Sequence, residues 1–227
     1  MKKIVVLTGA GMSAESGLKT FRDSDGLWEN HNVYDVATPE AWERDPEMVL
    51  KFYNERRKQV RDAKPNKAHV ALGKLEEKYD VHIITQNIDN LHERGGSTKV
   101  IHLHGEVNKA RSSIDSGLVY ELDHWEMKLG DLCEKGSQLR PHIVWFGEPV
   151  PMIEKAIPIV EMADRVIVIG TSLAVYPAAG LLNYATSSSK KYYIDPKGFE
   201  GDNHYPFVII KETAGVGVPR LVDQLLQ

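Results

Sequence analysis

The sequence predicts an α/β fold, in which a Rossmann-like parallel sheet carries helices on both faces and a small lobe is inserted beside it. Short apolar runs that are continuous rather than alternating indicate strands buried on both faces. These runs alternate with segments of helical periodicity, as parallel sheets require. A glycine-rich turn directly follows the first run. The predicted strands are residues 3–7, 82–85, 99–102, 165–169, 191–194 and 208–211.

Helical periodicity is predicted at 66–78, 152–163 and 218–226. Two segments do not fit the alternation. In the first, at about 29–64, Thr38 before Pro39 and Asp45 before Pro46 are N-cap and N1 pairs that predict two helices. The second, at about 107–140, has little apolar content. We therefore expect one domain over 1–227, with a large lobe at about 1–28, 65–106 and 141–227, a small lobe at about 29–64 and 107–140, and a ligand cleft between them.

Composition excludes several classes of protein. The net charge is −4 and the basic residues are scattered, so the electrostatic footprint of a nucleic-acid binder is missing. No apolar run approaches the roughly 20 residues that span a bilayer, and the first run is too short for a signal peptide. A single cysteine excludes an intramolecular disulfide. We expect a cytoplasmic protein without membrane or nucleic-acid partners, with a monomer favoured.

The turn after the first strand reads GAGMSA at residues 9–14 and matches the G-x-G-x-x-G/A dinucleotide fingerprint in its required position. Gly9 and Gly11 permit a tight turn and let backbone N–H groups approach a pyrophosphate at the positive end of a following helix. The alternative is a glycine-rich turn that binds no phosphate. No strand ending in a ribose-binding acid stands about 20 residues on, which disfavours hydride transfer.

Polar side chains crowd the end of the second predicted strand, where open α/β sheets bind ligands. Gln86, Asn87, Asp89 and Asn90 lie there. The alternative is a capping loop, because Asp89 or Asn90 could cap the next helix. At two further strand ends stand the turns 170–172 and 195–197, which would reach the same cleft or serve only as tight turns.

The third strand ends in His102-Leu103-His104-Gly105. Alternation places both imidazoles on one face, and His104 projects toward the cleft. We expect one of the two to titrate near neutrality. A histidine beside a nucleotide fingerprint is a candidate general base, although a lone histidine is more often packed or solvated.

Together these motifs resemble the sirtuin family in order and spacing, over nearly the whole chain. They are TGAGMSAESG at 8–17, TFR at 20–22, TQNID at 85–89, HLHG at 102–105, VWFGE at 144–148 and GTS at 170–172. The resemblance implies that NAD is consumed as a co-substrate and that acylated lysine side chains of proteins enter the cleft. The acyl group would pass to ADP-ribose with release of nicotinamide.

The resemblance also implies site residues. His104 would be the base that acts on the ribose hydroxyls, with Asn87 and Asp89 as further catalytic residues. The peptide would pair as an added strand with Val144, Trp145, Phe146 and Gly147. NAD would be bound by Gly9, Ala10, Gly11, Ala14, Glu15, Phe21, Arg22, Trp28, Gln86, Asn87, Ile88, Asp89, His104, Gly170, Thr171, Ser172, Asp195, Pro196, Lys197 and Ala214.

Tyr53 and Arg56 resemble the pair by which class III sirtuins recognise malonyl, succinyl or glutaryl groups. Their spacing of three puts both on one helix face. There a guanidinium can hold a carboxylate bidentately while a phenol adds a third hydrogen bond. We therefore expect a desuccinylase and demalonylase that also removes acetyl groups. The alternative is an exposed helix face within a solvated charge run, since Arg57, Lys58 and Arg61 follow.

The chain departs from most sirtuins at the zinc site. Those proteins hold the small lobe with two C-x-x-C pairs between the His-Gly and Trp-Phe-Gly motifs, whereas this chain has only Cys133 there. His124 and nearby acidic residues lack ligand-pair spacing. We predict no structural zinc, which leaves open what stabilises residues 107–140.

Two alternatives to deacylation remain. One is a degenerate sirtuin that binds NAD or ADP-ribose without turnover, against which the intact His104, Asn87 and Asp89 argue. The other is ADP-ribosyl transfer to a protein, which needs no acyl channel.

Overall fold

The computed structural model describes residues 1–19, 27–28, 31–199 and 206–227, with the backbone alone at 27–28. The strands are β1 (Lys3–Thr8), β2 (Leu27–Trp28), β3 (His31–Asn32), β4 (Asp80–Thr85), β5 (Val100–His102), β6 (Gly105–Ser112), β7 (Val119–Glu121), β8 (Leu139–Ile143), β9 (Arg165–Ile169), β10 (Lys190–Ile194) and β11 (Phe207–Ile210). The α-helices are α1 (Val33–Val36), α2 (Pro39–Arg44), α3 (Pro46–Asp62), α4 (Lys67–Leu75), α5 (Leu91–Arg94), α6 (Met152–Glu161) and α7 (Ala214–Leu226).

Within the described residues, a six-stranded parallel sheet runs in the order β11-β10-β9-β1-β4-β5. From β1 the chain adds β4 and β5 on one side, then returns to add β9, β10 and β11 on the other. The carboxyl ends of β1 and β9 therefore flank the point at which the strand order reverses, where open α/β sheets bind ligands. This confirms the predicted fold class, and each predicted strand is present with its ends shifted by at most two residues.

The side chains of β1 alternate between two cores. Ile4 and Val6 pack in the cluster formed with α4 and α7, whereas Val5 and Leu7 pack in the cluster formed with α6. All four are at most 4% exposed. Burial on both faces explains why the strand reads as a continuous apolar run.

The predicted helices are confirmed, with one start misplaced. Thr38 Oγ1 accepts from the N–H of Ala41 at 3.1 Å, and Asp45 Oδ1 accepts from the N–H of Met48 at 2.9 Å, so both predicted N-caps are formed. Helix α7 begins at Ala214, four residues before the predicted start. Gly215 and Gly217 carry little helical signal, which is why the sequence did not indicate its first turn.

A three-stranded antiparallel sheet, in the order β7-β6-β8, packs with α3 beside the parallel sheet. Helix α3 contributes Val49, Phe52 and Tyr53 to a third core that also contains Val107 and Trp145. The boundaries predicted for the two lobes stay a prediction. No helix in the described ranges is long and apolar enough to cross a membrane.

Arg57 was wrongly assigned to a solvated charge run. It is fully buried: Nε donates to the Val107 carbonyl at 2.6 Å, and Nη1 donates to Asn54 Oδ1 at 2.8 Å and to the Trp125 carbonyl at 2.6 Å. Burial lowers its pKa to about 10. Asn54 in turn donates to the Met127 carbonyl at 2.8 Å. Helix α3 thus holds the segment around 125–127 through side chains that the linear pattern could not assign to a buried face.

Candidate active site

A cavity of about 500 Å³ opens at the carboxyl ends of β1, β4, β9 and β10. Every predicted site residue whose side chain the structure describes lines it. Phe21 and Arg22 lie outside the described residues, as does the side chain of Trp28. The cavity brings together Gly9, Ala10, Gly11, Ala14, Glu15, Tyr53, Arg56, Gln86, Asn87, Ile88, Asp89, His104, Val144, Trp145, Phe146, Gly147, Gly170, Thr171, Ser172, Asp195, Pro196, Lys197 and Ala214.

The glycines of the first turn pack against a second turn. The N–H of Gly9 donates to the Ile169 carbonyl at 3.0 Å, and the N–H of Gly11 donates to the Gly170 carbonyl at 2.9 Å. A Cβ on Gly11 would lie 2.7 Å from the Gly170 Cα, so no larger residue fits without movement of the backbone. These two N–H groups thus bind carbonyls of the neighbouring strand end and of the second turn. The approach of a pyrophosphate to other N–H groups of the turn stays a prediction.

An α-helix was predicted directly after this turn, but residues 9–19 contain none. The chain instead makes two short 3-10 turns, Ala10–Met12 and Ala14–Ser16. Glu15 on the second turn accepts from the N–H of Gly215 at 2.6 Å and from Thr213 Oγ1 at 3.2 Å. Its carboxylate thus caps the N-terminus of α7, where unpaired N–H groups favour negative charge.

The loop after β4 is held by polar side chains. Asn87 Nδ2 donates to the Gly9 carbonyl at 3.1 Å and to Ser13 Oγ at 3.2 Å. Ser13 Oγ donates to Asp89 Oδ2 at 2.9 Å, while Asp89 Oδ1 accepts from the N–H of Leu91 at 3.1 Å. Burial raises the pKa of Asp89. The capping alternative is thus right for one oxygen of Asp89, and the other oxygen joins the loop to the first turn.

Sequence reasoning did not select Ser13. It occupies a variable position of the dinucleotide fingerprint, where the motif specifies no side chain, so nothing in the linear pattern distinguished it. Gln86 extends the same network, since its Nε2 donates to Thr171 Oγ1 at 3.1 Å. The ends of β1, β4 and β9 are therefore joined by side chains.

His104 lies just beyond β5 with its ring against the same loop. Its Nδ1 lies 3.1 Å from the carbonyl oxygen of Gln86. A carbonyl only accepts, so Nδ1 carries the proton and Nε2 keeps its lone pair. Burial lowers the pKa of His104, which keeps the ring neutral at neutral pH. A neutral imidazole with a defined tautomer, in the wall of a cavity, can act as a general base.

Tyr53 and Arg56 are buried, not exposed, and both line the cavity. The alternative of a solvated helix face was therefore wrong for this pair. Tyr53 Oη accepts from Trp145 Nε1 at 3.0 Å, and burial raises the pKa of the phenol well above its usual range. Arg56 Nη1 donates to Gln59 Oε1 at 3.0 Å. The guanidinium and the protonated phenol can both donate to a ligand oxygen.

Three backbone N–H groups of the edge at 144–147 already have hydrogen-bond partners within the protein. Those of Val144, Trp145 and Phe146 donate to His104 O, Glu148 Oε2 and Ala37 O, respectively. A bound strand would therefore pair with the carbonyl oxygens of this edge or with the N–H of Gly147. Sequence reasoning also missed the role of Glu148, whose carboxylate accepts from Arg111 and Arg140 as well and so fixes the turn.

Comparison with known proteins shows the family. The Sir2 family profile matches residues 9–177, which is more than half of the chain. The chain belongs to the Sir2 family. A curated sirtuin relative, the "NAD-dependent protein deacylase" of Helicobacter pylori (strain ATCC 700392 / 26695), is 51% identical over 229 residues, covering 100% of this chain and 99% of the relative. The protein of the same name from Bacteroides thetaiotaomicron is 51% identical over 231 residues, with the same coverage.

Solved sirtuin structures agree with this assignment. A crystal structure of a Sir2 homologue–NAD complex has a TM-score of 0.89 and 40% identity, and covers 99% of this chain and 90% of that one. An ADP-ribose complex of a mutated Sir2 homologue has a TM-score of 0.90 and 40% identity, and covers 99% and 92%. The fold of this chain is therefore that of a sirtuin.

No group of three or more His, Cys, Asp or Glu side chains in the described part of this sirtuin is placed to hold a metal. Cys133 is buried, and its thiol donates to Ser112 Oγ at 3.4 Å. The absence of zinc stays a prediction.

Proposed function

We propose that this chain removes succinyl and malonyl groups, and also acetyl groups, from lysine side chains of proteins. NAD-dependent protein deacylation itself is the named activity of relatives that are about half identical over their full lengths. The chain is accordingly an NAD-dependent protein deacylase. The observation that carries the finer proposal is that Tyr53 and Arg56, both buried, line the same cavity as His104.

A buried arginine suits an acidic acyl group. The planar guanidinium presents parallel N–H groups that match a carboxylate, and burial reduces the screening of their attraction. Tyr53 approaches the same carboxylate as a donor, because its raised pKa keeps the phenol protonated. An acetyl group has no carboxylate, so it would occupy the channel without this contact.

The rest of the cavity suits the dinucleotide. Small residues form much of the cavity wall, among them Gly9, Ala10, Ala14, Gly170 and Ala214. NAD, when bound, supplies the bond between ribose and nicotinamide whose cleavage drives the transfer. In this proposal Thr171, Ser172 and residues 195–197 hold the adenosine half, while Gln86, Asn87 and Asp89 orient the ribose that bears nicotinamide.

His104 is proposed as the base. Its Nε2 lone pair would accept the proton of a ribose hydroxyl as that oxygen takes up the acyl group, and the Gln86 carbonyl would stabilise the charged ring through Nδ1. A positioned base of this kind contributes about 10²- to 10⁴-fold to the rate.

The test compares acetyl-, malonyl-, succinyl- and glutaryl-lysine peptides of one sequence, each incubated with the protein and NAD. Mass spectrometry of the products should show nicotinamide, O-acyl-ADP-ribose and free lysine peptide in equal amounts, with a higher kcat/KM for succinyl than for acetyl peptide. Turnover of the acetyl peptide alone would refute the acyl assignment. An ADP-ribosylated protein, or no product, would refute deacylation.

A further inference from the structure

His102 does not line the cavity, yet it contacts the loop that carries the candidate catalytic residues. Its Nδ1 lies 3.0 Å from the carbonyl oxygen of Asn87, and its Nε2 lies 2.8 Å from Glu93 Oε1 on α5. A carbonyl and a carboxylate only accept, so both ring nitrogens donate and the ring is an imidazolium. His102 is only 8% exposed, which makes it a buried cation paired with Glu93.

The two histidines of the motif hold successive peptide units of one loop. His104 contacts the carbonyl of Gln86, and His102 contacts the carbonyl of Asn87, the next residue. A shift of the Asn87 carbonyl would therefore also disturb the bond that sets the tautomer of His104. The same shift would move Asn87 Nδ2 relative to Gly9 and Ser13.

The charge of His102 depends on several elements packed around it. Burial by itself lowers the pKa of His102, but the hydrogen bond and charge of Glu93, the charge of Glu106 and the bond to Asn87 raise it, and the net direction is upward. Its charged or titratable neighbours are Glu93 and His92 on α5, Asp89 in the loop, Glu106 on β6 and, through Glu93, Lys109.

We infer that His102 and Glu93 are positioning residues: the doubly protonated ring holds the Asn87 loop in its working geometry, and its deprotonation produces the alkaline limb of the activity–pH profile. This rests on the proposed function, in which Asn87 and His104 act on the ribose. As the pH rises, His102 keeps one N–H for two acceptors. Its bond to Asn87 then loses the charge assistance that roughly doubles such bonds, and kcat/KM should fall roughly three- to tenfold.

The experiment measures kcat/KM on an acetyl-lysine peptide across the pH range, so that the result does not depend on the acyl class. Glu93→Gln should move the alkaline limb by about one unit to lower pH, because the imidazolium loses its counter-charge. Glu106→Gln is the matched control, since Glu106 acts on His102 by charge alone, and it should move the limb much less. His102→Gln should remove the limb.

Nitrogen-15 spectra of the histidine rings give a second readout that needs no turnover. At neutral pH we expect one ring protonated on both nitrogens whose signal disappears in His102→Gln. The inference is overturned if that ring is neutral, or if the alkaline limb stays in place in both Glu93→Gln and His102→Gln. If the assignment of His104 as the base is wrong, the disagreement would appear in the acid limb of the activity–pH profile and not in the alkaline limb. The failure of this inference and the failure of the proposed function are therefore distinguishable.

Discussion

Trp145 Nε1 donates a hydrogen bond to Tyr53 Oη at 3.0 Å, which joins the edge expected to bind the peptide directly to the residue pair proposed to bind the acyl group. Arg140 stacks on the same indole, 3.4 Å from the ring centroid. In the proposed function, the position of the peptide edge and the recognition of the acyl group would therefore depend on the same packed side chains.

Arg56→Met should lower kcat/KM for peptides with an acidic acyl group much more than kcat/KM for peptides with a neutral one. If Arg56 binds the substrate carboxylate, its loss removes a charge-assisted contact of about 1.5 to 3 kcal/mol, or roughly 10- to 150-fold in kcat/KM for succinyl peptide. Acetyl peptide should change by no more than a few-fold. The matched control is Arg61→Met, at an exposed position of the same helix. Equal losses on both peptides would mean that Arg56 serves the fold or the common channel.

Tyr53→Phe should act in the same direction on the succinyl peptide, but more weakly. Removal of the Tyr53 hydroxyl also leaves the buried Trp145 Nε1 without its acceptor. We therefore expect KM to rise somewhat for the acetyl peptide too. A Tyr53→Phe enzyme with unchanged kinetics on both peptides would exclude the phenol from acyl recognition.

Gln59→Glu should compete with the substrate for Arg56. Gln59 Oε1 accepts from Arg56 Nη1 at 3.0 Å, so a carboxylate there would form a resident ion pair with the guanidinium. Because Gln59 is exposed, we expect kcat/KM for the succinyl peptide to fall only severalfold and kcat/KM for the acetyl peptide to stay unchanged. High salt should make the loss on the succinyl peptide smaller, because it screens the new ion pair. Gln59→Ala is the control that removes the contact without adding charge. A Gln59→Glu enzyme as active as wild type on succinyl peptide would place the substrate carboxylate elsewhere.

His104→Ala should abolish deacylation while NAD binding, measured by calorimetry, stays largely intact. The base must be neutral, and burial lowers the pKa of His104, so activity should persist as the pH falls below the ordinary histidine value of about 6.5 and be lost only at lower pH. Full activity in His104→Ala would end the assignment of the base. A wild-type acid limb above pH 6.5 would contradict the effect of burial.

The purified protein should contain less than one zinc per chain and should keep its activity in strong chelator. The chain has a single cysteine, and no candidate metal-binding group lies among the residues that the structure describes. Elemental analysis and an assay after dialysis against chelator check this. One tightly held zinc per chain would contradict the prediction.

Arg57→Met should destabilise the protein. The change leaves the carbonyls of Val107 and Trp125 without their donor in a buried site, which costs about 2–4 kcal/mol and lowers Tm by roughly 5–15 °C. Lys58→Met, at the next and exposed position, should leave Tm nearly unchanged. If Arg57→Met melts like wild type, some other contact holds the segment around 125–127.

Much of this protein follows from local patterns. Continuous apolar runs predicted the buried strands of the sheet, because burial on both faces removes the alternation that a half-exposed strand would show. Thr38 and Asp45 predicted helix starts because an N-cap depends only on residues three or four apart. Since parallel strands end at one edge, the sequence alone predicts that the polar residues after β4 and the histidine after β5 lie in one cleft.

The tertiary structure alone decided what depends on contacts between distant segments. The sequence showed that Gly9 and Gly11 form a tight turn, but only the structure shows that they must be glycine because the turn at Gly170 packs against their backbone. From the sequence alone, Arg57 looks like one of several surface charges, whereas in the structure segment 125–127 covers it. The charge of His102 differs from that of His104 because His102 contacts both the Asn87 carbonyl and the Glu93 carboxylate. Burial and hydrogen-bond partners set the charge of a side chain, and residues far apart in the chain supply both.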